Sequence, residues 1–224
     1  MQFTLSKNRS PEDLACGQML DWDLIDYAEA VNRQHSLVEE VSAGKMETIV
    51  FCRHPSVVTL GRGSKPEDLS GWKGAFAESS RGGRATYHGP GQIVVYPIID
   101  LKKEHTGFAP RDVHAYLRWL ESVICASLAD IGIKNAESRE FKVDDLSMTG
   151  VWVGSKKIAS IGIAVRKWVT YHGVAINVER DPNAFQGINP CGFQSSIMTN
   201  VEEILGHSPR EALKTALAQR LSPV

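Results

Sequence analysis

Three short segments place residues that could do covalent chemistry in settings that could let them act. The first is Phe185-Gln186-Gly187-Ile188-Asn189-Pro190-Cys191-Gly192, where a cysteine stands between proline and glycine in a loop, a setting that can expose a thiol. The other three cysteines read differently: Cys52 falls in an apolar strand and Cys125 in a helix, both as core filling, and Cys16 falls in an N-terminal stretch without a clear pattern. A free thiol has a pKa near 8.5, so only a few per cent is thiolate at neutral pH, and a neighbouring cation lowers that value. The second segment, Lys156-Lys157-Ile158-Ala159-Ser160-Ile161-Gly162-Ile163-Ala164-Val165, offers such a cation. Strand alternation puts Lys157, Ala159, Ile161 and Ile163 on one face, so Lys157 points inward if that face is buried, and Lys156 points out. A lysine that opens a strand usually only snorkels, but the small residues beside this one leave room for a ligand. A buried lysine of lowered pKa is also a competent acid or base. The third segment is Arg81-Gly82-Gly83-Arg84-Ala85-Thr86-Tyr87-His88-Gly89-Pro90-Gly91-Gln92, whose four glycines let backbone approach a ligand closely. It reads either as a glycine-rich hairpin or as a binding loop; it is neither a P-loop nor a GxGxxG turn.

The elements that would position these groups follow from periodicity. A helix is expected from an N-cap at Asp23 through Tyr27, Val31 and Val38 to a stop at Gly44. Strands are expected over 46–54 and 57–60, and a long surface loop over 66–81. The apolar run 92–100 reads as a strand in which Pro97 implies an edge position or a bulge. An apolar stripe through Val113, Leu117, Leu120, Ile124 and Leu128, capped near Asp112, marks the clearest helix. Three β-rich stretches, 149–153, 157–165 and 170–178, form a meander. A capping box at Ser208-Pro209-Arg210-Glu211 opens a last helix. Strands and helices mix without a βαβ rhythm, which favours an α+β mixed sheet flanked by helices over a dinucleotide-binding fold.

Composition narrows the classes. The 224 residues, 42% of them hydrophobic, suit one domain spanning 1–224, with residues 1–20 as an atypical leading segment. A net charge of −1 gives no support to a nucleic-acid partner. The dispersed cysteines exclude a zinc finger, so no metal site is expected. No apolar run approaches the ~20 residues of a membrane span and the first ten residues carry no apolar h-region of a secretory signal, so a cytoplasmic protein without membrane contact is expected.

Together the segments Arg81–Gln92, Gly150–Gly162, Tyr171–Val178 and Ile188–Gly192, with Thr59-Leu60-Gly61 upstream, resemble the lipoyl(octanoyl) transferase family over roughly residues 20–205. The resemblance implies a fold like that of biotin and lipoate protein ligases. It also implies an activity, octanoyl transfer from octanoyl-acyl carrier protein to a cysteine and then to a lysine of lipoyl domains. The acceptors would be the lipoyl domains of 2-oxoacid dehydrogenases and the glycine cleavage H protein. Carried over by motif, Cys191 is the acyl-accepting nucleophile and Lys157 its partner. Arg81, Gly82, Gly83, Arg84, Ala85, Thr86, Tyr87, His88, Ser160, Ile161, Gly162, Gly173, Val174 and Ala175 would line the acyl site. No cofactor is implied, and a monomer is expected. Because both protein partners tend to be acidic, Arg53, Arg62, Arg81, Arg84, Lys102 and Lys103 are candidates for the rim. The runner-up is an ATP-dependent lipoate or biotin-type ligase. Further alternatives are a cysteine hydrolase using His88 or His172, a zinc site of Cys191, His88 and His172, and a non-catalytic acyl-binding module.

Overall fold

A computed structural model describes residues 17–139, 142–143, 146–147 and 149–221; Cys16 lies outside them, and of Cys191 the backbone is described. In chain order the elements are β1 (Gln18–Leu24), α1 (Tyr27–Ser42), β2 (Thr48–Arg53), β3 (Val57–Leu60), β4 (Ala75–Glu78), β5 (Ala85–His88), β6 (Gln92–Ile98) and α2 (Val113–Asp130). There follow β7 (Ala136–Ser138), β8 (Lys142–Val143), β9 (Leu146–Ser147), β10 (Gly150–Val153), β11 (Lys156–Arg166), β12 (Val169–Asn177), α3 (Val201–Leu205) and α4 (Arg210–Leu221). The expected α+β architecture is present. A seven-stranded sheet runs β1-β2-β6-β12-β11-β10-β7, antiparallel except for β1 on β2, and a small sheet β4-β3-β5 lies apart from it.

Strand alternation divides the core. One sheet face (Ile49, Phe51, Ile93, Val95, Ile163, Val174, Ile176) packs on α2 and α4 through Leu120, Ile124, Leu128, Leu213 and Leu217. The opposite face (Val50, Cys52, Val94, Tyr96, Ala164, Ala175) meets α1 through Ala30, Val38 and Val41. That second face is only partly covered by α1, and β5 of the small sheet lies over the remainder.

Several expectations need correction. Asp26, not Asp23, caps α1, its carboxylate accepting the N–H groups of Ala28 and Glu29 at 2.8 and 3.2 Å. Asp23 ends an edge strand and pairs with Arg53 instead. The stretch 66–81 is not all loop, since it carries β4, and 85–88 is a strand. Pro97 sits in a central strand, not at an edge. The β6–β12 ladder is registered only from Val95↔Val174 to Gln92↔Asn177, and the N–H of His172, at φ +57°, turns to Gln34 at 2.7 Å. The box at Ser208 does not form, because its hydroxyl donates to Glu179 at 3.1 Å.

Candidate active site

A slot opens between the second sheet face and β5. Its walls are Ser160, Ile161 and Gly162 of β11, Gly173, Val174 and Ala175 of β12, and Arg81, Gly83, Thr86 and His88 from the glycine-rich segment. Val94, Tyr96, His172 and Tyr27 complete it. Ten of the residues singled out by motif therefore line one cavity. Gly82, Arg84, Ala85 and Tyr87 do not line it. Gly82 hydrogen-bonds through its N–H to Ile163 O at 3.0 Å. Ala85 and Tyr87 face the other way on β5, into a cluster with Val58 and Phe185.

Arg84 acts on the cysteine loop instead. Its guanidinium grips the buried Asp68 carboxylate at 2.5 and 3.1 Å, and the Asp68 carbonyl accepts the N–H of Asn189 at 2.9 Å. Asn189 leads directly into the short turn Pro190–Gly192. Seven residues beyond Cys191, Met198 forms a parallel bridge with Lys157, and the next N–H, of Thr199, donates to Lys157 O at 3.0 Å. The cysteine loop is thus fastened at one end to the glycine-rich segment and at the other to the lysine.

Lys157 is 1% exposed, whereas Lys156 is exposed and donates to Ser196 O at 2.7 Å. The inward lysine is as expected, but simple alternation assigned it to the wrong face. The pairs Val151↔Ala159 and Trp152↔Lys157 leave Ile158 as an extra residue in β11. Gly150 and Trp152 share a face, Gly150 pairs with Ser160, and Trp152 pairs with Lys157. The bulge therefore turns Lys157 onto the face of Ser160 and Gly162, the slot face, and away from Ala159 and Ile161. Its Nζ lies 5.5 Å from the Trp152 ring centroid, and Trp152 meets Phe193, two residues past Cys191, edge-on at 6.0 Å. Gly150, at φ +135°, makes this possible: a Cβ there would lie 2.6 Å from Lys157 Cε and 2.5 Å from Ala159 O.

Burial keeps the slot free of added positive charge. His54, His88 and His172 are all lowered below the usual histidine pKa, desolvation being the largest cause for each, and His172 falls to about 3. His88 stacks on Tyr27 with ring centroids 5.8 Å apart. His54 Nδ1 donates to Ile25 O at 2.8 Å, so its Nε2 accepts from the Tyr96 hydroxyl at 2.7 Å. The Arg81 guanidinium is fixed by Thr59 O at 2.7 Å and Arg84 O at 2.8 Å, pinning the glycine-rich loop to β3. Cys52 and Cys125 are poor nucleophiles in this setting, burial pushing the first thiol well up and the second to about 11. Of the six candidate rim cations, Arg81 is buried, Arg53, Arg84, Lys102 and Lys103 are ion-paired to Asp23, Asp68, Asp100 and Glu47, and Arg62 remains.

Sequence reading missed Gly150, Trp152, Tyr27, Tyr96 and the buried Glu121, whose Oε1 accepts the Gly150 N–H at 3.0 Å. Gly150 opens a motif stretch and was within reach; the others reach the site only through the fold.

The lipoyl protein ligase A/B catalytic domain model matches residues 26–222. An octanoyltransferase of Bdellovibrio bacteriovorus is 45% identical over 192 residues, covering 83% of this chain and 88% of its own. Among solved structures, a lipoate-protein ligase A bound with ATP superposes with a TM-score of 0.67 at 19% identity, over 92% of this chain and 83% of that one. A bi-partite lipoate protein ligase from Thermoplasma acidophilum, described with its E2 lipoyl domain, gives 0.59 at 20% identity over the same shares. The lipoate-ligase fold implied by the motifs is therefore the fold found, and the chain belongs to the lipoyl protein ligase A/B catalytic-domain family, with relatives named octanoyltransferases.

Proposed function

We propose that this protein is an acyltransferase that moves an octanoyl group from octanoyl-acyl carrier protein to a lysine of a lipoyl domain through a thioester on Cys191. The observation that carries this reading is the placement of Lys157: buried, turned by a bulge onto the slot face, and tied through Met198 and Thr199 to the loop of Cys191. In loading, the Cys191 thiolate attacks the donor thioester, the C–S bond to the carrier breaks, and the departing thiolate takes a proton from Lys157. In discharge, the neutral acceptor amine forms the C–N bond, the C–S bond breaks, the amine's proton returns to Lys157 and the Cys191 thiolate leaves. Thioester exchange is nearly balanced in energy, so loading needs no ATP. The alkyl chain occupies the slot. Burying about six CH₂ groups at roughly 0.8 kcal/mol each offers close to 5 kcal/mol. The free space there, about 30 Å³, suits one or two waters by the usual measure. Acyl entry on this reading parts β5 from the sheet.

The test is intact-mass measurement after mixing the enzyme with octanoyl-carrier protein and no ATP. A gain of about 126 Da that hydroxylamine removes is expected, and Cys191→Ala should abolish it. An adduct that survives Cys191→Ala, or one that needs ATP, would favour the ligase reading.

A further inference from the structure

A second cavity, of about 170 Å³, lies beside the slot. The strand registers fix its place. Ser160 pairs with Ala175 and Ala175 with Val94, one row across the slot face; Asn177 pairs with Gln92, two residues along the same strands and on the same face. Gln92 and Asn177 line the second cavity, and the bulge that turns Lys157 onto this face falls at the same level of the sheet. Thr199, whose N–H is bonded to Lys157 O, lines it too. The two cavities therefore follow one another along one sheet face, and the tie between Thr199 and Lys157 sets the lysine's strand and the far end of the cysteine loop beside the second of them. Strand β5 stands between them, His88 on the side of the slot and Tyr87, on the opposite face of the strand, on the side of the second cavity.

Their chemistry differs. The slot is walled mostly by glycines, alanine, valines and neutral rings, its one guanidinium, Arg81, being held by the carbonyls of Thr59 and Arg84, whereas the second cavity sets carboxylate and amide oxygens among apolar side chains. Gln92 is buried, and its Oε1 has no hydrogen-bond partner. Two carboxylates stand on its wall. Glu179 is neutralised by Arg210 at 2.8 Å. Asp181 is not: its Oδ2 accepts from Tyr87 at 2.5 Å and its Oδ1 from the Asn183 N–H at 2.9 Å, and no lysine or arginine of the described residues forms an ion pair with it. A part-buried carboxylate without a counter-ion, beside an unused carbonyl oxygen, matches a ligand that is cationic and a hydrogen-bond donor. Gly89 serves this arrangement: a Cβ there would lie 2.4 Å from the Tyr87 hydroxyl and 2.7 Å from Asp181 Oδ2.

We propose that this second cavity receives the side chain of the acceptor lysine, its ammonium drawn in by Asp181, so that acyl chain and amine reach the Cys191–Lys157 junction from opposite ends of one groove. The inference rests on the acyltransfer reading above. The amine must be deprotonated to react. One proton passes from the ammonium to solvent, and the nitrogen lone pair forms the C–N bond as the C–S bond breaks. The second proton passes to Lys157, which gave up its own in loading, and Cys191 leaves as the thiolate.

Following the two half-reactions separately tests this. Asp181→Asn should load from octanoyl-carrier protein within about twofold of wild type, yet discharge to an unmodified lipoyl domain roughly 10–100-fold more slowly, the usual worth of a charged hydrogen bond. Asp181→Glu, which keeps the charge, should recover part of the loss. Discharge at the wild-type rate by Asp181→Asn would overturn the proposal. So would loading that falls as far as discharge, since the cavity would then take the donor's arm. A variant-free measurement guards against misfolding: N-acetyl-arginine amide should slow discharge of the wild-type acyl-enzyme in competition with the acceptor, and neutral N-acetyl-norleucine amide should not. Equal effects of the two amides would overturn it as well. Failure of the wild-type enzyme to form any adduct would instead sink the acyltransfer reading.

Discussion

Lys156 and Lys157 are chemically the same residue one position apart, and their surroundings separate them completely. The Lys156 ammonium is exposed and rests on the Ser196 carbonyl; that of Lys157 is enclosed by Gly150 and the Trp152 ring. Loss of a positioned acid–base group slows a reaction by on the order of 10²–10⁴. Lys157→Ala should therefore slow loading by that factor in a single-turnover mass assay, and Lys156→Ala should leave it nearly unchanged. Equal losses would remove Lys157 from the mechanism. The glycines divide in the same way by what surrounds them. Gly83, at φ +79°, lines the slot and stays a candidate for close backbone approach to the acyl group. Gly89 leaves room for the Tyr87–Asp181 contact and does not line the slot.

At the scale of elements, the site depends on a helix packed on the sheet face opposite the slot. Helix α2 contributes Glu121, fully buried, which accepts the Gly150 N–H and pairs with Arg118 at 2.7 Å. Gly150 in turn is the surface against which the Lys157 stem lies. Glu121→Ala would leave an N–H and a guanidinium without that acceptor. For a pair buried on one side only, a loss of about 2–3 kcal/mol is expected, lowering Tm by roughly 5–10 °C in a chain of this size. Glu121→Gln keeps the bond to Gly150 and should lose less in thermal melts, and it should load faster than Glu121→Ala. Equal loading rates in the two variants would show that Gly150 is held by other means. None of this was legible in the chain, because Glu121 reads as one polar residue on a helix whose stripe, cap at Asp112 and extent were plain. The meander β10–β11–β12 was equally plain from its β-branched runs. What escaped were β1, an edge strand in which only Leu20 and Trp22 turn inward, too few to mark a period, and the bulge at Ile158, because a single extra residue leaves no mark in composition while it reverses the facing of Lys157. The glycine-rich segment hid strand β5 for the opposite reason, since the glycines around it promise a turn. The motifs thus located the chemistry, and only the register shows how the sheet presents it.

On the scale of the whole molecule, the buried histidines make the fold itself sensitive to acid. His54, His88 and His172 all have folded-state pKa values below the unfolded value of about 6.5, desolvation being the first cause in each case. A histidine held neutral by the fold binds fewer protons folded than unfolded, so stability rises with pH below 6.5 and levels off above it. For His172, with a folded value of about 3, the losing window runs from 6.5 down toward 3. His88 and His172, held far below that value, each forfeit about 1.4 kcal/mol between pH 7.5 and 5.5, roughly 3 kcal/mol together, and His54 adds in the same direction. The carboxylate of Glu179 has the opposite sign of shift, lowered by Arg210, and its contribution is lost only as pH falls below the ordinary carboxylate range. Between pH 7.5 and 5.5 the Glu179 contribution is therefore fully present and only the histidines change. Urea titrations at pH 7.5 and 5.5 should therefore show a fall in unfolding free energy of that order with little change in slope. Stability that stays flat across the interval would mean that these rings are protonated in the fold. Two of these rings, His88 and His172, line the slot proposed for an alkyl chain, with His54 edge-on to His88, and a charge on them would face hydrocarbon. The neutrality that serves binding is thus the source of the acid lability, and loss of loading should begin in the same pH interval as the loss of stability.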